Sequence, residues 1–243
     1  IKDAPNKEDE LQNNIFDIVN QLNEGSDLMT DQSEKDELAK LNLQAGKKAK
    51  ASTAYETALK YIETGVKFVD FHQWSYQNSL IFKIHLELLE VLYLTANYQK
   101  VQDYSDVLLS KNYDTLDKVK IYQIKSLSYM SDLNQQKAIE NFVKALALPK
   151  IDIDIPQDEE EIKKRSHQEY KRLKFLLKDK QIKDLVDLPQ LTDPYKISAI
   201  VISQRMAPLL SSTSSPLEPL IVLITINLCI QYGNPPQASG SYV

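Results

Sequence analysis

The feature that most constrains this fold is a spacing pattern between residues 122 and 149. It consists of aromatic, small and aromatic positions in one segment, then small, aromatic and small positions in the next. Its members are Tyr122, Ser126, Tyr129, Ala138, Phe142, Ala145 and the closing Pro149. Ser126 and Ala138 are small, which predicts that two helices cross closely there. Tyr129 and Phe142 would then fill the space beside the crossing.

This pattern is typical of a tetratricopeptide repeat, a hairpin of two helices that stacks into arrays. It recurs 37 residues earlier at Leu89 and Val101, and 43 residues before Leu89 at Gly46. A mid-helix glycine costs roughly 1 kcal/mol against alanine, so Gly46 indicates a close helix contact. Its predicted counterparts on the next helix are Ala58, Ile62 and Gly65. The sequence therefore predicts an all-α fold, a right-handed superhelical array of tetratricopeptide-like hairpins (an α-solenoid).

Apolar periodicity and capping residues place the individual helices. They are expected at 8–23, 34–50, 54–69, 76–96, 98–110, 158–178, 194–210 and 216–232, with a linker at 70–75 and a short helix or turn at 181–188. Ser33, Ser52 or Thr53, and Asp193 are the expected N-caps. This order predicts an N-terminal linking helix in 1–32, three hairpins in 33–149 and further divergent hairpins in 150–243. Because the chain starts at Ile1, we expect it to be an excerpt of a longer protein.

Several classes of function are disfavoured by composition. The formal net charge of −5 lacks the basic footprint of general nucleic-acid binding, and one cysteine favours a reducing compartment. The apolar run 220–230 is too short to span a bilayer. His72, His85 and His167 lack metal-ligand spacing, and Cys229 lies on an apolar helix that favours an inert, buried thiol. We therefore predict a cytoplasmic segment with no catalytic residues, metal, cofactor, nucleic acid or membrane.

Two basic stretches are candidates for ligand binding. Gly46-Lys47-Lys48 lacks the second glycine and the Ser or Thr of a phosphate-binding loop. Residues 163–174 are rich in Lys and Arg, but acids precede them and Tyr170 is a lone aromatic residue. A solvated helix face is the favoured interpretation of that stretch, with nucleic-acid binding as the alternative.

A partner-binding surface is predicted from the repeat register. In such arrays the first helix of each hairpin lines the concave face. The candidate residues are Lys47, Lys83, Glu90, Tyr93, Lys120, Gln123 and Leu127. The three lysines are expected to share one groove that receives an acidic peptide, a carboxylate terminus or another domain of the same protein. The alternative is that they are ordinary solvated lysines.

Five segments carry a resemblance to a known family. They read ELAKLNLQAGKKAKASTAY at 37–55, ALKYIETG at 58–65, DKVKIY at 117–122, DPY at 193–195 and QYGN at 231–234. They resemble the helical-repeat region of large multidomain bacterial signalling proteins. Those proteins join a serine/threonine kinase domain, a predicted AAA/STAND-type ATPase, this helical region, a GAF domain and often a histidine kinase.

The resemblance implies a regulatory, protein-interaction module that couples ligand or partner binding to neighbouring catalytic domains. It implies no catalytic residue here, because the kinase and nucleotide motifs lie outside these segments. Two alternatives remain open at this point. The chain could be a catalytic fragment that binds nucleotide or transfers phosphate, or it could be a purely structural spacer.

Overall fold

The computed structural model describes residues 7–69, 79–178, 185 and 187–235. Its α-helices are α1 Lys7–Glu24, α2 Gln32–Ala51, α3 Tyr55–Phe68, α4 Ser79–Leu94, α5 Tyr98–Leu109, α6 Thr115–Ser131, α7 Gln135–Leu146, α8 Glu159–Leu176, α9 Pro194–Ser212 and α10 Glu218–Tyr232. A short 3₁₀ helix, Ser26–Leu28, follows α1. The described residues contain no β-strand, although Gln190 and Asn234 form an isolated bridge. The predicted all-α class is confirmed.

Some helix starts differ from those expected. Asp31, not Ser33, caps α2, with its side chain accepting a hydrogen bond from the Ser33 amide at 3.0 Å. Neither Ser52 nor Thr53 caps α3, which follows Ala54 without a side-chain cap. Asp193 does cap α9, as predicted, and accepts from two backbone amides. Asp31 precedes Ser33 by two residues, so α2 begins at Gln32, before the predicted cap.

The ends of α2, α4, α6 and α9 share one turn. The second residue after each helix has a left-handed backbone; these residues are Thr53 (φ 61°), Ala96 (φ 57°), Leu133 (φ 58°) and Ser214 (φ 49°). The next amide bonds back across the turn, as when the Ala54 N–H donates to the Ala49 carbonyl at 3.0 Å. This is the Schellman arrangement, which satisfies carbonyls at a helix end. The first three turns are 43 and 37 residues apart, matching the register predicted from Gly46, Leu89 and Ser126.

Residues Ile1–Asn112 form one compact unit, called unit 1 here, which contains α1 to α5. A methyl group on Gly46 of α2 would lie 2.6 Å from Ile62 Cγ1 of α3, and one on Gly65 would lie 2.7 Å from Ile84 Cδ1 of α4. These distances are too short for a real side chain, so both glycines permit close helix contacts. The predicted reason for Gly46 is confirmed. Asn42 is buried and exchanges two side-chain hydrogen bonds with Asn23, which joins α1 to α2.

Residues Tyr113–Val243 form the second unit, unit 2, which contains α6 to α10. α7 packs against α6 and α9, and α10 packs against α8 and α9. Ser126, Ala138 and Phe142 are fully buried, as the repeat pattern predicts. Phe142 belongs to an apolar cluster that also contains Met206 and Leu220. Burial of such side chains supplies the main driving force for packing α7 on α9.

Several sequence predictions lie outside the described residues. They are the linker at 70–75 with His72 and Trp74, the start of the fourth helix at Tyr76, most of 181–188 and the small position at Ala238.

Candidate functional site

The predicted binding residues belong to two units. Lys47, Glu90, Lys83 and Tyr93 lie on α2 and α4 of unit 1. Lys120, Gln123 and Leu127 lie on α6 of unit 2. A single groove shared by the three lysines stays a prediction.

In unit 1 the predicted residues surround a network of ion pairs between α2 and α4. Lys50 of α2 forms ion pairs with two acids of α4, and its Nζ lies 2.6 Å from Glu90 Oε2. The second acid, Glu87, is buried, and its Oε2 lies 3.9 Å from Lys47 Nζ. Two lysines of one hairpin therefore meet two glutamates of the next. This network joins the first helices of consecutive hairpins.

The protonated form of Lys50 is stabilised by Glu87 and Glu90. Burial would by itself lower the pKa of the ammonium, but hydrogen bonds to Glu87 and then Glu90 outweigh it and raise the pKa above 10.5. Lys50 therefore stays protonated at neutral pH. The surface predicted to receive an acidic partner thus already contains two carboxylates, Glu87 and Glu90, which are paired with Lys50.

Lys50 and Glu87 were missed by sequence reasoning, although a signal for them existed. Lys47 and Lys50 are three residues apart on α2, and Glu87 and Glu90 are three residues apart on α4. Residues with this spacing share one helix face. Matching pairs of opposite charge on the first helices of successive hairpins predict ion pairs between those hairpins.

The remaining predicted residues of unit 1 differ in their surroundings. Lys83 is exposed and lies one helical turn before Glu87, so it borders the same network. Tyr93 is half-buried, and its ring lies 6.0 Å from that of Tyr98 at the start of α5. Part of the Tyr93 ring thus packs within its own hairpin. Lys83 is consequently better exposed to a partner than Tyr93 is.

In unit 2 the predicted residues lie on a single helix, and the ion pair made by Lys120 is exposed. Lys120 is exposed, and its Nζ lies 3.1 Å from Asp117 Oδ1 on the preceding helical turn. Gln123 and Leu127 are half-buried on the same helix. An exposed pair within one helix is worth only a few tenths of a kcal/mol. The pair with Asp117 therefore contributes little by itself to the stability of α6.

Two groups of unit 1, His85 and Tyr104, have strongly shifted pKa values. His85 of α4 is buried, and its Nδ1 forms a hydrogen bond with the Tyr104 hydroxyl of α5. Burial lowers the pKa of His85 to about 4 and raises that of Tyr104 to about 12. Both side chains are therefore neutral near pH 7. They join α4 to α5 as a polar contact inside an apolar hairpin.

Several residues in the resembling segments have structural roles. Asp193 caps α9, and the Tyr195 hydroxyl accepts a hydrogen bond from Lys150 Nζ at 2.9 Å. Gly233 has φ 109°, and a Cβ there would collide with the backbone of Pro189. The Asn234 side chain donates to the Leu185 carbonyl at 2.8 Å. These residues hold loops onto helices in unit 2.

The predicted burial of Cys229 is confirmed. Among the described side chains, no group of three or more His, Cys, Asp or Glu residues could hold a metal ion. Within the same part of the chain, no helix is both long and apolar enough to cross a bilayer. The basic stretch on α8 is partly neutralised, because Arg165 and Arg172 both pair with the buried Glu169.

Part of the chain is similar to a curated signalling protein. It is 35% identical over 107 aligned positions to hybrid signal transduction histidine kinase G of Dictyostelium discoideum. The match covers 40% of this chain and 3% of that protein. No family model and no solved structure matches this chain. The similarity agrees with the histidine kinase component of the resemblance, whereas the ATPase and serine/threonine kinase components stay predictions.

Proposed function

We propose that this chain is a non-catalytic helical-repeat module of a multidomain signalling protein, and that it couples partner binding to neighbouring catalytic domains. The observation that carries the proposal is the similarity of 40% of the chain to a small part of a signal transduction histidine kinase. A segment covering 3% of such a protein is better suited to a regulatory or binding role than to the whole phosphotransfer reaction.

The helical hairpins support this function. Four helices end in the same Schellman turn, and Gly46 and Gly65 let the helices of unit 1 pack closely into one helical framework. Repeat proteins of this type use such frameworks to present extended binding surfaces. Tetratricopeptide-like stacking is therefore part of the proposal.

The partner is a protein or peptide, including another domain of the same parent chain. In unit 1 its carboxylates would bind Lys47 and Lys83, which are both exposed. Lys47 Nζ lies 3.9 Å from Glu87 Oε2, and Lys83 lies one helical turn before Glu87. Glu87 and Glu90 repel the carboxylates of a partner and compete with them for Lys50. A partner must therefore present its carboxylates at the edges of the network. This arrangement favours a partner with spaced acidic residues over a dense acidic cluster.

The test uses the parent protein with Lys47→Ser and Lys83→Ser combined. The matched control is Lys60→Ser with Lys100→Ser, two exposed lysines on the second helices α3 and α5. We expect the first variant to lose the regulated change in histidine autophosphorylation while basal autophosphorylation and helical circular dichroism stay unchanged. Equal regulation in both variants would overturn the binding surface.

A separate titration of this chain with Mg-ATP addresses the catalytic alternative. We expect no heat of binding in isothermal titration calorimetry, because the proposed module acts on catalytic domains elsewhere. Saturable Mg-ATP binding that is lost on mutation within the chain would overturn the non-catalytic function.

A further inference from the structure

The groove between α9 and α10 of unit 2 has the size of a small-molecule site. Its volume is about 390 Å³, within the range of ligand pockets. Five residues of each helix line it: Ser203, Gln204, Ala207, Pro208 and Ser211 from α9, and Glu218, Ile221, Val222, Thr225 and Ile226 from α10. These residues recur at intervals of three or four, so each helix contributes one face.

The turn at 213–217 reverses the chain and sets the order of groups along the groove. Ser211 and Glu218 flank the turn at one end, and Ser203 and Thr225 lie at the other. Ser203 and Ser211 are separated by about 12 Å along the helix axis, from the ~1.5 Å rise per residue. The middle of the groove is lined by Ala207, Pro208, Ile221 and Val222. The groove is therefore apolar in its centre and polar at both ends.

The Ser203 end contains a buried polar atom that a ligand could satisfy. Ser203 is 1% exposed, and its Oγ makes no hydrogen bond with any part of the chain that the structure describes. A buried hydroxyl without a partner is costly and uncommon in a folded protein. Thr225 is also buried, and its hydroxyl donates to the Ile221 carbonyl at 2.7 Å, so its oxygen can still accept. A neutral hydroxyl or amide of a ligand would fit this end.

The end of the groove near Ser211 contains a charged residue, Glu218. Among the described residues that line it, Glu218 alone is ionisable, and its carboxylate has no ion-pair partner in the described part of the chain. It lies half-buried in the first turn of α10 beside apolar side chains. A carboxylate in such a position attracts a cation and repels an anion.

From this order of groups we propose that the groove binds a small linear amphiphile with a primary ammonium at Glu218, an apolar middle and a neutral hydrogen-bonding group at Ser203. The site stands independently of the proposed signalling function, because binding in unit 2 requires neither a kinase nor a partner protein. If both hold, the amine would be the inducer that the module senses.

The probes are octylamine, octanoate and ω-aminooctanol, which share an eight-carbon chain and differ at its ends. Each is titrated into the full chain by isothermal titration calorimetry below its micelle concentration. We expect octylamine to bind at least tenfold more tightly than octanoate. ω-Aminooctanol should bind about fivefold more tightly than octylamine, because it adds roughly one hydrogen bond at Ser203.

Two substitutions assign the ends of the ligand. Glu218→Gln should weaken octylamine binding by about tenfold, the value of roughly one charge-assisted hydrogen bond. Glu160→Gln, in the exposed first turn of α8, removes the same charge away from the groove and should leave binding unchanged. Ser203→Ala should abolish the advantage of ω-aminooctanol over octylamine without weakening octylamine itself.

Equal affinities for octylamine and octanoate would overturn the proposal, as would unchanged octylamine binding by Glu218→Gln. The proposal would also be overturned if neither amine bound at concentrations up to about 10 mM, because a weaker affinity would not indicate a specific site. Far-UV circular dichroism and urea unfolding of each variant show whether lost binding arises from lost folding.

Discussion

In unit 1, α2 meets α4 through Lys50, Glu87 and Glu90, whereas in unit 2, α7 meets α9 within an apolar cluster that includes Phe142 and Met206. Unit 2 also contains a buried polar link between α10 and α8, in which Asn227 donates to Glu169. Helices in the two units are therefore joined by two kinds of contact. The stability that charged contacts contribute depends on pH and salt concentration, whereas the stability of apolar contacts depends on the volume of the buried side chains.

The largest expected effect tests the apolar contact of unit 2. Phe142 is fully buried, so Phe142→Ala should lower the free energy of unfolding by about 3–5 kcal/mol through lost burial and a cavity. Urea unfolding measures the loss, and hydrogen exchange should locate it in α7 and α9. Leu133→Ala, at a side chain that is 90% exposed, is the control and should change little. Equal effects of the two substitutions would contradict the packing of α7.

The second effect concerns His85 in unit 1. Its folded-state pKa is lowered from 6.5 to about 4, so the unfolded state binds the proton first as the pH falls. The stability it contributes is present above pH 6.5 and is lost as the pH falls towards 4, by about 3 kcal/mol. His85→Gln should remove this part of the pH dependence in urea unfolding. His167→Gln, at an exposed histidine, should retain the pH dependence. Loss of the pH dependence in His167→Gln but not in His85→Gln would contradict its assignment to His85.

The third effect tests the ion pairs of unit 1. Lys50→Met should cost about 1–3 kcal/mol, because Glu87 would stay buried without its main partner. The raised pKa of Lys50 means that its contribution is present below pH 10.5 and is lost as the pH rises through the folded-state value. Lys60→Met, at an exposed position of α3, is the control. Urea unfolding as a function of pH should show the difference between the variants at pH 7 and a decrease of that difference as the pH rises above 10.5.

The smallest effect tests the surface pair of unit 2. Lys120→Ser should change the free energy of unfolding by less than about 0.5 kcal/mol, because the pair with Asp117 is exposed and lies within one helix. The same measurement compares it directly with Lys50→Met. A loss as large as that of Lys50→Met would contradict the distinction between a largely buried lysine in unit 1 and an exposed lysine in unit 2.

Residue spacing predicted the buried side of the hairpins well. Ser126, Ala138 and Phe142 are buried because small and aromatic residues at these intervals suit one geometry of helix crossing. The exact helix ends were harder to predict. Thr53, Ala96 and Leu133 occupy left-handed positions where glycine is the usual signal, at a cost of roughly 1–2 kcal/mol each. Closure of the hairpin offsets that cost, and single-residue preferences do not reveal it.

The candidate site was only partly predictable. The register placed Lys47 and Glu90 on neighbouring first helices, and the structure brings them to one ion-pair network. It did not identify Lys50 and Glu87, since charge on a helix usually indicates solvent exposure. The groove between α9 and α10 was also missed, because Ser203 and Glu218 are unremarkable until two helix faces meet.

The sequence by itself determined the all-α class, the hairpin register and the close contact at Gly46, because each follows from local periodicity and side-chain size. Only the tertiary structure decided which charges are paired, why His85 is neutral, and that Ser203 and Glu218 line one groove. Those properties depend on distances between helices. Electrostatic energy and desolvation change steeply with such distances, and a linear sequence does not specify them.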